Sequence, residues 1–385
     1  MRKYKSKSSA VENASLEENF TTSAVENASL EENFTDKTNE YIRWSWACRI
    51  ININGMYDID SSDLNDIPNV GDVTLFKVLS IGYHKQIITS ANKKIRLYPG
   101  DLFVGVFGNR YATDAYEGEV EGLKNLSLLT GAGMVGTVKS KFKSMGNPSD
   151  VLCLGFLRDI SINERVNLKR LKFKKCEPSY YFRNIIVIVG SGMNSGKTTV
   201  CRKLIKAFSE VKKSRIAACK LTGSVSNRDQ DKMTSASPAY TIDFSDYGFP
   251  STYKCELDEL LDLFKTMIYD IDKTNSQLII MEIADGILQR ETKMLLNAPE
   301  FKRWIKNVLV TADTAPSALY TTEYLKKKGY NVMAVSGAMT SSPLYIKEFE
   351  QNSTIPVISS ANNSIKLHPF RTILFKKEVK VIKNH

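Results

Sequence analysis

Residues 185–208 read IIVIVGSGMNSGKTTVCRKLIKAF. Ile185–Val189 is an unbroken run of β-branched and aliphatic residues, the pattern of a strand covered on both faces. It stops at Gly190. A loop of small residues leads to Gly196-Lys197-Thr198-Thr199, after which Cys201, Leu204, Ile205 and Phe208 recur at helical spacing. Strand, glycine loop and helix start, in that order, are the setting in which a G-K-[ST] triplet becomes a phosphate-binding hypothesis.

The chemistry follows from the residue types. Gly192 and Gly196 can take backbone angles that turn successive N–H groups around a phosphate. The helix start adds unpaired N–H groups and the positive end of its dipole. The expected nucleotide-binding set is Gly190, Gly192, Asn194, Ser195, Gly196, Lys197, Thr198 and Thr199. Lys197 is placed to meet the β- and γ-phosphates, and the Thr198 hydroxyl to ligate Mg²⁺. The spacing is one residue wider than usual: Ser191 stands where the first glycine is customary, and Gly190 precedes it.

Downstream, strands and helices alternate in the rhythm of a doubly wound, mostly parallel sheet. Expected strands are 185–189, 215–220, 241–244, 278–284, 307–313, 332–337 and 355–359, with helices at 199–210, 256–270, 318–328 and 344–351. Ligands of such sheets sit at the carboxyl ends of the strands. Leu278–Glu282 is an apolar strand closing on an acid, followed by Asp285-Gly286. Glu282 and Asp285 are therefore metal candidates, with Asp229 as a third. Ala217–Gly223, AACKLTG, ends a second strand in a lysine. Lys220 is expected to stabilise the terminal phosphate or a substrate carboxylate. The polar and aromatic loop Asp243–Tyr253, with Asp246 and Tyr247, is a candidate substrate-binding segment, as are Thr222 and Gly223. The loops 313–317 and 336–343 are candidates to line the base or acceptor pocket. No N-K-x-D stretch is present to read guanine, which tilts the nucleotide towards ATP.

Upstream, residues 1–40 carry SAVENASLEENFT twice, at 9–21 and 23–35. Two polar copies do not make a solenoid, and a disordered tail is expected there. Residues 41–175 show β signals: alternation over 73–81, 86–89 and 95–98, turns at 91–93 and 99–101, and the apolar run 102–107. A smaller β-rich barrel or sandwich domain ending in a basic connector, KRLKFKK at 169–175, is expected ahead of a nucleotide domain at 176–385. Gly71-Asp72-Val73 before a strand resembles oligonucleotide-binding barrels. Phe107, Arg110, Tyr111 and Tyr116 are then nucleic-acid candidates, with core packing as the competing reading. Gly131–Gly136, GAGMVG, lacks the strand–helix setting of a dinucleotide site and reads as a close-packed turn.

Of the 385 residues, 42% are hydrophobic and 25% charged, and the net charge of +11 favours anionic partners. Six scattered cysteines without a C-x-x-C pair, and only three histidines, argue against a disulfide framework, a zinc site or a histidine triad. No apolar run reaches membrane-spanning length, and no apolar segment follows the basic start. A cytoplasmic protein with reduced thiols is expected.

G-x5-G-K-T, then K-x-T-G after the next strand, then a strand ending E-x3-G, together resemble the dethiobiotin synthetase-like (SIMIBI) group of P-loop proteins. The resemblance implies loop roles for Gly190, Lys197 and Thr198, a substrate or phosphate role for Lys220 and a metal role for Glu282. Leu221 and Ile283-Ala284-Asp285 depart from that group's pattern, so its substrate does not carry over. The wide glycine spacing is also similar to that of P-loop N-acyltransferases acting on amino acids. Residues 70–360 look like uncharacterised two-domain bacterial P-loop proteins through G-N-R-Y-A-x-D at 108–114 and D-F-x-D-x-G-F at 243–249. Together these imply a Mg·ATP-binding P-loop NTPase, an enzyme with ligase- or phosphotransferase-like chemistry on a small acidic substrate, or ATP hydrolysis. The alternatives are an ATP-gated nucleic-acid-binding protein or polynucleotide kinase-like enzyme, and an N-acyltransferase. A homodimer is an open expectation, with no membrane partner.

Overall fold

A computed structural model describes residues 42–62, 64, 66–178, 184–212, 215–360 and 367–370. The tandem repeat lies outside them. Eleven strands come first: β1 (Arg43–Trp44), β2 (Tyr57–Asp60), β3 (Val73–Val78), β4 (Gln86–Ile88), β5 (Lys94–Arg96), β6 (Leu102–Phe107), β7 (Tyr116–Glu119), β8 (Leu126–Leu128), β9 (Met134–Lys141), β10 (Ser149–Asp159) and β11 (Glu164–Arg165). β4 and β5 form a hairpin, and the others belong to one nine-stranded sheet. Within it β6 pairs with β3, β3 with β10, β10 with β8, β8 with β9, and β9 again with β6. That circuit closes on itself, which hides the backbone groups a free edge would expose. Phe76, Phe103, Phe107 and Phe156 fill the interior. Phe107 and Tyr116 are fully buried, so these two expected nucleic-acid contacts are packing residues.

A short helix, α1 (Leu168–Lys172), is capped by the Asn167 side chain, which accepts from the Lys169 and Arg170 N–H groups. The basic connector it opens is not a free charged strip. Lys169 pairs with Glu259 at 2.6 Å and Lys175 with Asp262 at 2.9 Å.

Next come β12 (Ile185–Gly190), α2 (Lys197–Lys212), β13 (Ile216–Lys220), α3 (Asn227–Thr234), β14 (Tyr240–Asp243), α4 (Leu257–Asp272), β15 (Leu278–Gly286), α5 (Arg290–Asn297), α6 (Pro299–Trp304), β16 (Asn307–Thr311), α7 (Ala315–Lys327), β17 (Asn331–Ser336) and α8 (Pro343–Asn352). The six strands form a second sheet in the order β14-β13-β15-β12-β16-β17, every pairing parallel. β12 shows why its apolar run is continuous. Ile186 and Ile188 pack against α2 residues such as Leu204 and Phe208, while Val187 and Val189 face the cluster that holds Phe264 of α4. Both faces of the strand are covered by helices, so both parities must be apolar. Val357, expected within a strand, makes one isolated parallel bridge to Val335.

All of this lies within one compact unit, residues 41–385, and the segment 243–254 is the seam between its two sheets. Asp246 pairs with Arg49. A Cβ on Gly248 would stand 2.0 Å from the Leu168 carbonyl oxygen, and its φ of +81° is one that glycine adopts freely. The Phe249 ring meets Phe173 at 5.2 Å, and the Tyr253 hydroxyl donates to Glu117 at 3.1 Å. Arg49 is nearly buried and also donates to Ser245 Oγ at 2.9 Å. Truncation to alanine would leave a partly buried carboxylate with one partner fewer. Arg49→Ala should therefore lower stability by about 1–3 kcal/mol, read as a fall in the urea midpoint of the whole chain. An unchanged midpoint would show that the seam does not depend on this pair.

Candidate active site

The loop from Gly190 to Lys197 is shaped by two left-handed residues, Asn194 at φ +59° and Gly196 at φ +97°. Lys197 is the first residue of α2 and turns back on the loop it follows. Its ammonium donates to Gly192 O at 2.7 Å and lies 3.4 Å from Ser195 Oγ. Here the wide glycine spacing has its explanation. A Cβ on Gly190 would meet Ser195 Oγ at 2.5 Å and Lys197 Nζ at 2.7 Å, so this glycine makes room for the lysine. At Gly192 a Cβ would meet nothing within 4 Å. The loop has the strand, glycine turn and helix start of the P-loop pattern.

Side chains brace it from outside. Ser195 is buried and shares a 2.8 Å hydrogen bond with Thr311, while Ser191 donates its N–H to Thr311 O at 2.8 Å. Ser191 Oγ also donates to Asp313 at 3.3 Å. Ala338 N–H donates to Ser195 O at 3.0 Å. The 313–317 and 336–343 loops thus brace the P-loop and do not line the cavity beside it. At the tip, the Asn194 amide donates to Asp114 of the other sheet at 2.7 Å.

Parallel register sets Lys220 of β13 beside Glu282 of β15. Thr198, on the first turn of α2, donates to Glu282 Oε1 at 3.1 Å. The other oxygen, Oε2, is buried and accepts no hydrogen bond of good geometry among the described residues; the Cys201 thiol, a weak donor, also interacts with this carboxylate. Burial raises the Glu282 pKa, against the pull of Lys220 and Lys197. Lys220 is buried and paired with Asp229. Burial opposes its charge, but the Asp229 and Glu282 carboxylates outweigh burial and hold the ammonium above its ordinary value. Burial lowers Lys197. Asp285 sits at φ +60° on the end of β15, and burial pushes its carboxyl up to about 6 despite Lys197 and Lys220.

These groups line one cavity of about 940 Å³ that is walled on its far side by the β4–β5 hairpin and by the loops at 110–115 and 130–132. Lys197, Thr198, Thr199, Gly196, Asn194, Lys220, Gly223, Asp229, Glu282 and Asp285 are all brought to it. Thr222 is not: its buried hydroxyl accepts from Ala284 N–H at 2.9 Å. Asp246 and Tyr247, expected at the substrate, are placed elsewhere. Asp246 is committed to Arg49 and to the Asp243 N–H at 2.9 Å, and Tyr247 is a core residue donating to Asp270 at 2.8 Å. Their loop is polar and aromatic because it joins two sheets. Of the four nucleic-acid candidates, Arg110 and Tyr111 do line this cavity, on its far wall, together with His84 and Thr130, which the sequence reading did not name.

Among the described residues no group of three or more His, Cys, Asp or Glu is arranged to hold a metal ion alone. A Mg²⁺ site of the P-loop kind does not need one, since phosphates and waters complete the shell. The Thr198 hydroxyl beside the unpartnered Glu282 oxygen fits such an ion; Asp229, engaged by Lys220, is not free to add to it.

No protein-family model matches the chain, and no curated protein does. Among solved structures it is similar to FtsY from Mycoplasma mycoides, at 14% identity and a TM-score of 0.34, over 50% of this chain and 63% of that one. It is also similar to the signal recognition particle receptor FtsY from Elizabethkingia anophelis in complex with GDP, at 15% and 0.33, over 54% and 66%. A third is the kinase domain of the Escherichia coli tyrosine kinase ETK, at 14% and 0.30, over 40% and 66%. The chain spans a little under two thirds of each. The reading of the site rests on its own geometry.

Asp285 gives a pH signature. A carboxyl held at about 6 in the fold, against 3.8 ordinarily, keeps a proton that the unfolded chain has released. Its contribution to stability therefore falls as pH rises from about 4 through about 6, and stays lower above that. Asp285→Asn should unfold at higher urea than the parent near pH 7.5, by about 1–2 kcal/mol for this partly exposed group, with the difference vanishing near pH 4. An equal gain at both values would mean that the charge is not responsible.

Proposed function

We propose that this protein is a P-loop enzyme that binds Mg·ATP and passes its terminal phosphoryl group to a small acidic acceptor or to water. The observation that carries the reading is the buried, unpartnered Glu282 Oε2 beside the Thr198 hydroxyl at the start of α2. A dry carboxylate oxygen without a strong donor is costly in a purely structural role, and a cation with its waters would satisfy it.

In this reading the loop amides and the Lys197 ammonium hold the β- and γ-phosphates, and Lys197 exchanges its bond to Gly192 O for phosphate oxygen. Thr198 and Glu282 hold the Mg²⁺, which when bound neutralises charge across the β- and γ-phosphates. Lys220, fixed by Asp229, meets the charge of the moving γ-phosphoryl. An acceptor oxygen attacks the γ-phosphorus as the bond to the β–γ bridging oxygen breaks, and that oxygen leaves with the electron pair on ADP. A carboxylate acceptor carries no proton to be removed. With water as acceptor, Asp285 is the group at the cavity wall suited to take the proton, its value near 6 lying close to neutrality.

The test is fluorescent-ATP binding with and without Mg²⁺. Lys197→Ala should weaken binding at least tenfold in either condition, the loss of a charged partner being worth roughly 1.5–3 kcal/mol. Glu282→Gln should lose the Mg²⁺-dependent part of the affinity and keep the rest. Undiminished binding by Lys197→Ala would overturn the reading.

A further inference from the structure

The phosphate end accounts for only one wall of the cavity. Eight Lys and Arg side chains line it against four carboxylates. Of those acids, Asp229 is paired with Lys220 and Asp114 accepts from Asn194. Such an excess of cations over acids in one cleft draws anions, although Lys85, Lys94, Arg96, Arg228 and Lys232 are exposed and screened by solvent.

The wall opposite the P-loop is built on the β8–β9 turn, the Gly-rich segment 129–133 that needs no nucleotide to explain it. Arg110 and His84 both bond the Leu129 carbonyl, His84 Nε2 at 2.9 Å. Burial and the nearby Arg110 charge lower His84 to about 4, so the ring is neutral at physiological pH. Of the Arg110 guanidinium, only Nη1 is engaged in hydrogen bonds among the described residues. Nε and Nη2 remain, with five N–H donors in the group as a whole. The next residue, Thr130, also lines the cavity, and its hydroxyl is buried with no hydrogen-bond partner. The Arg110 charge is felt by Asp285 at the phosphate end, so the two ends are within electrostatic reach of each other.

A guanidinium with donors to spare, in one cavity wall with an unpaired buried hydroxyl and a neutral imidazole, is a place for an oxyanion. We propose that Arg110 and Thr130 bind the carboxylate or phosphate group of a second small ligand, at the end of the cavity away from the P-loop. The proposal rests on the phosphoryl-transfer reading for calling that ligand the acceptor, but the anion site stands on its own residues. It also moves the acceptor from the 243–253 loop to the N-terminal sheet.

The test titrates succinate and, separately, inorganic phosphate into the full-length protein by calorimetry. Tight binding of one probe over the other tells a carboxylate acceptor from a phosphate one. Arg110→Gln should weaken succinate binding about tenfold or more, as expected for truncating a desolvated charge partner. Thr130→Val should weaken it about threefold without lowering the urea midpoint, because the hydroxyl it removes has no partner to lose. Inorganic phosphate can also enter the glycine loop on the proposed reading, so the Arg110 site is scored on succinate, and Lys326→Ala on the exposed face of α7 should leave succinate affinity within about twofold. Unchanged succinate affinity in Thr130→Val and Arg110→Gln, equal loss in Lys326→Ala, or no binding of either probe overturns the proposal. Failure of the nucleotide reading is seen separately, as undiminished ATP binding by Lys197→Ala.

Discussion

The arrangement of this protein turns on opposite charges buried side by side at the tips of parallel strands. Lys220 and Glu282 are register partners on adjacent strands, and both are almost wholly out of solvent. A buried ion is tolerated only if other groups answer its charge. Here Asp229 answers Lys220, Thr198 answers one oxygen of Glu282, and the second oxygen accepts no hydrogen bond of good geometry. The parallel sheet makes this possible because every strand ends on the same side, so residues far apart in sequence arrive at one edge. Neighbouring register then decides the rest. Because Lys220 and Glu282 are paired across the strands, both project to the face on which α2 starts, where Thr198 is the second residue.

The N-terminal sheet completes what that edge leaves open. Five of its strands close into a circuit while β1, β2, β7 and β11 branch from it, and it is joined to the parallel sheet through polar and aromatic side chains along 243–254. The Asn194–Asp114 bond then ties the tip of the P-loop to the 108–114 stretch. The loop tip and the segment carrying Arg110 are thus held against each other. This is a physical connection through one hydrogen bond and one short stretch of chain, which is why the two ends of the cavity are best considered as one site.

How much of this could be read from sequence depends on range. β12, the glycine loop and α2 were legible because periodicity and glycine placement are local signals, and β6 (102–107) falls on the apolar run that marks it. α3 was missed since NRDQDKMT offers no apolar stripe, only Met233 among its apolar residues being buried; its Ser226 cap was the available sign. α5 and α6 were missed too, although Pro299 stands at a first-turn position where proline favours a start. That Lys197, Lys220 and Glu282 would come together was legible because strand ends of a parallel sheet share one edge, and all three line one cavity. Asp246 and Tyr247 were misread for a definite reason. Polar and aromatic residues near glycine and proline suit a ligand loop and an internal seam equally, and only the contact with Arg49, 197 positions away, separates them.

Charge bookkeeping links the two ends on the proposed reading. ATP with one Mg²⁺ carries about two negative charges, whereas the cavity's side chains carry about four more positive charges than negative when all four acids are ionised. His84, held neutral, adds nothing to that sum. Nucleotide alone would leave an excess of positive charge; Lys85, Lys94, Arg96, Arg228 and Lys232 are exposed at the mouth and screened by solvent, so the part that counts sits deeper, at Arg110, Lys197 and Lys220. A second ligand bearing one or two negative charges brings the cavity close to neutrality, and seats the acceptor where Arg110 and Lys220 attract it while the P-loop holds the donor. Acid and base groups that look mismatched when either end is considered alone are thus balanced when both substrates are present.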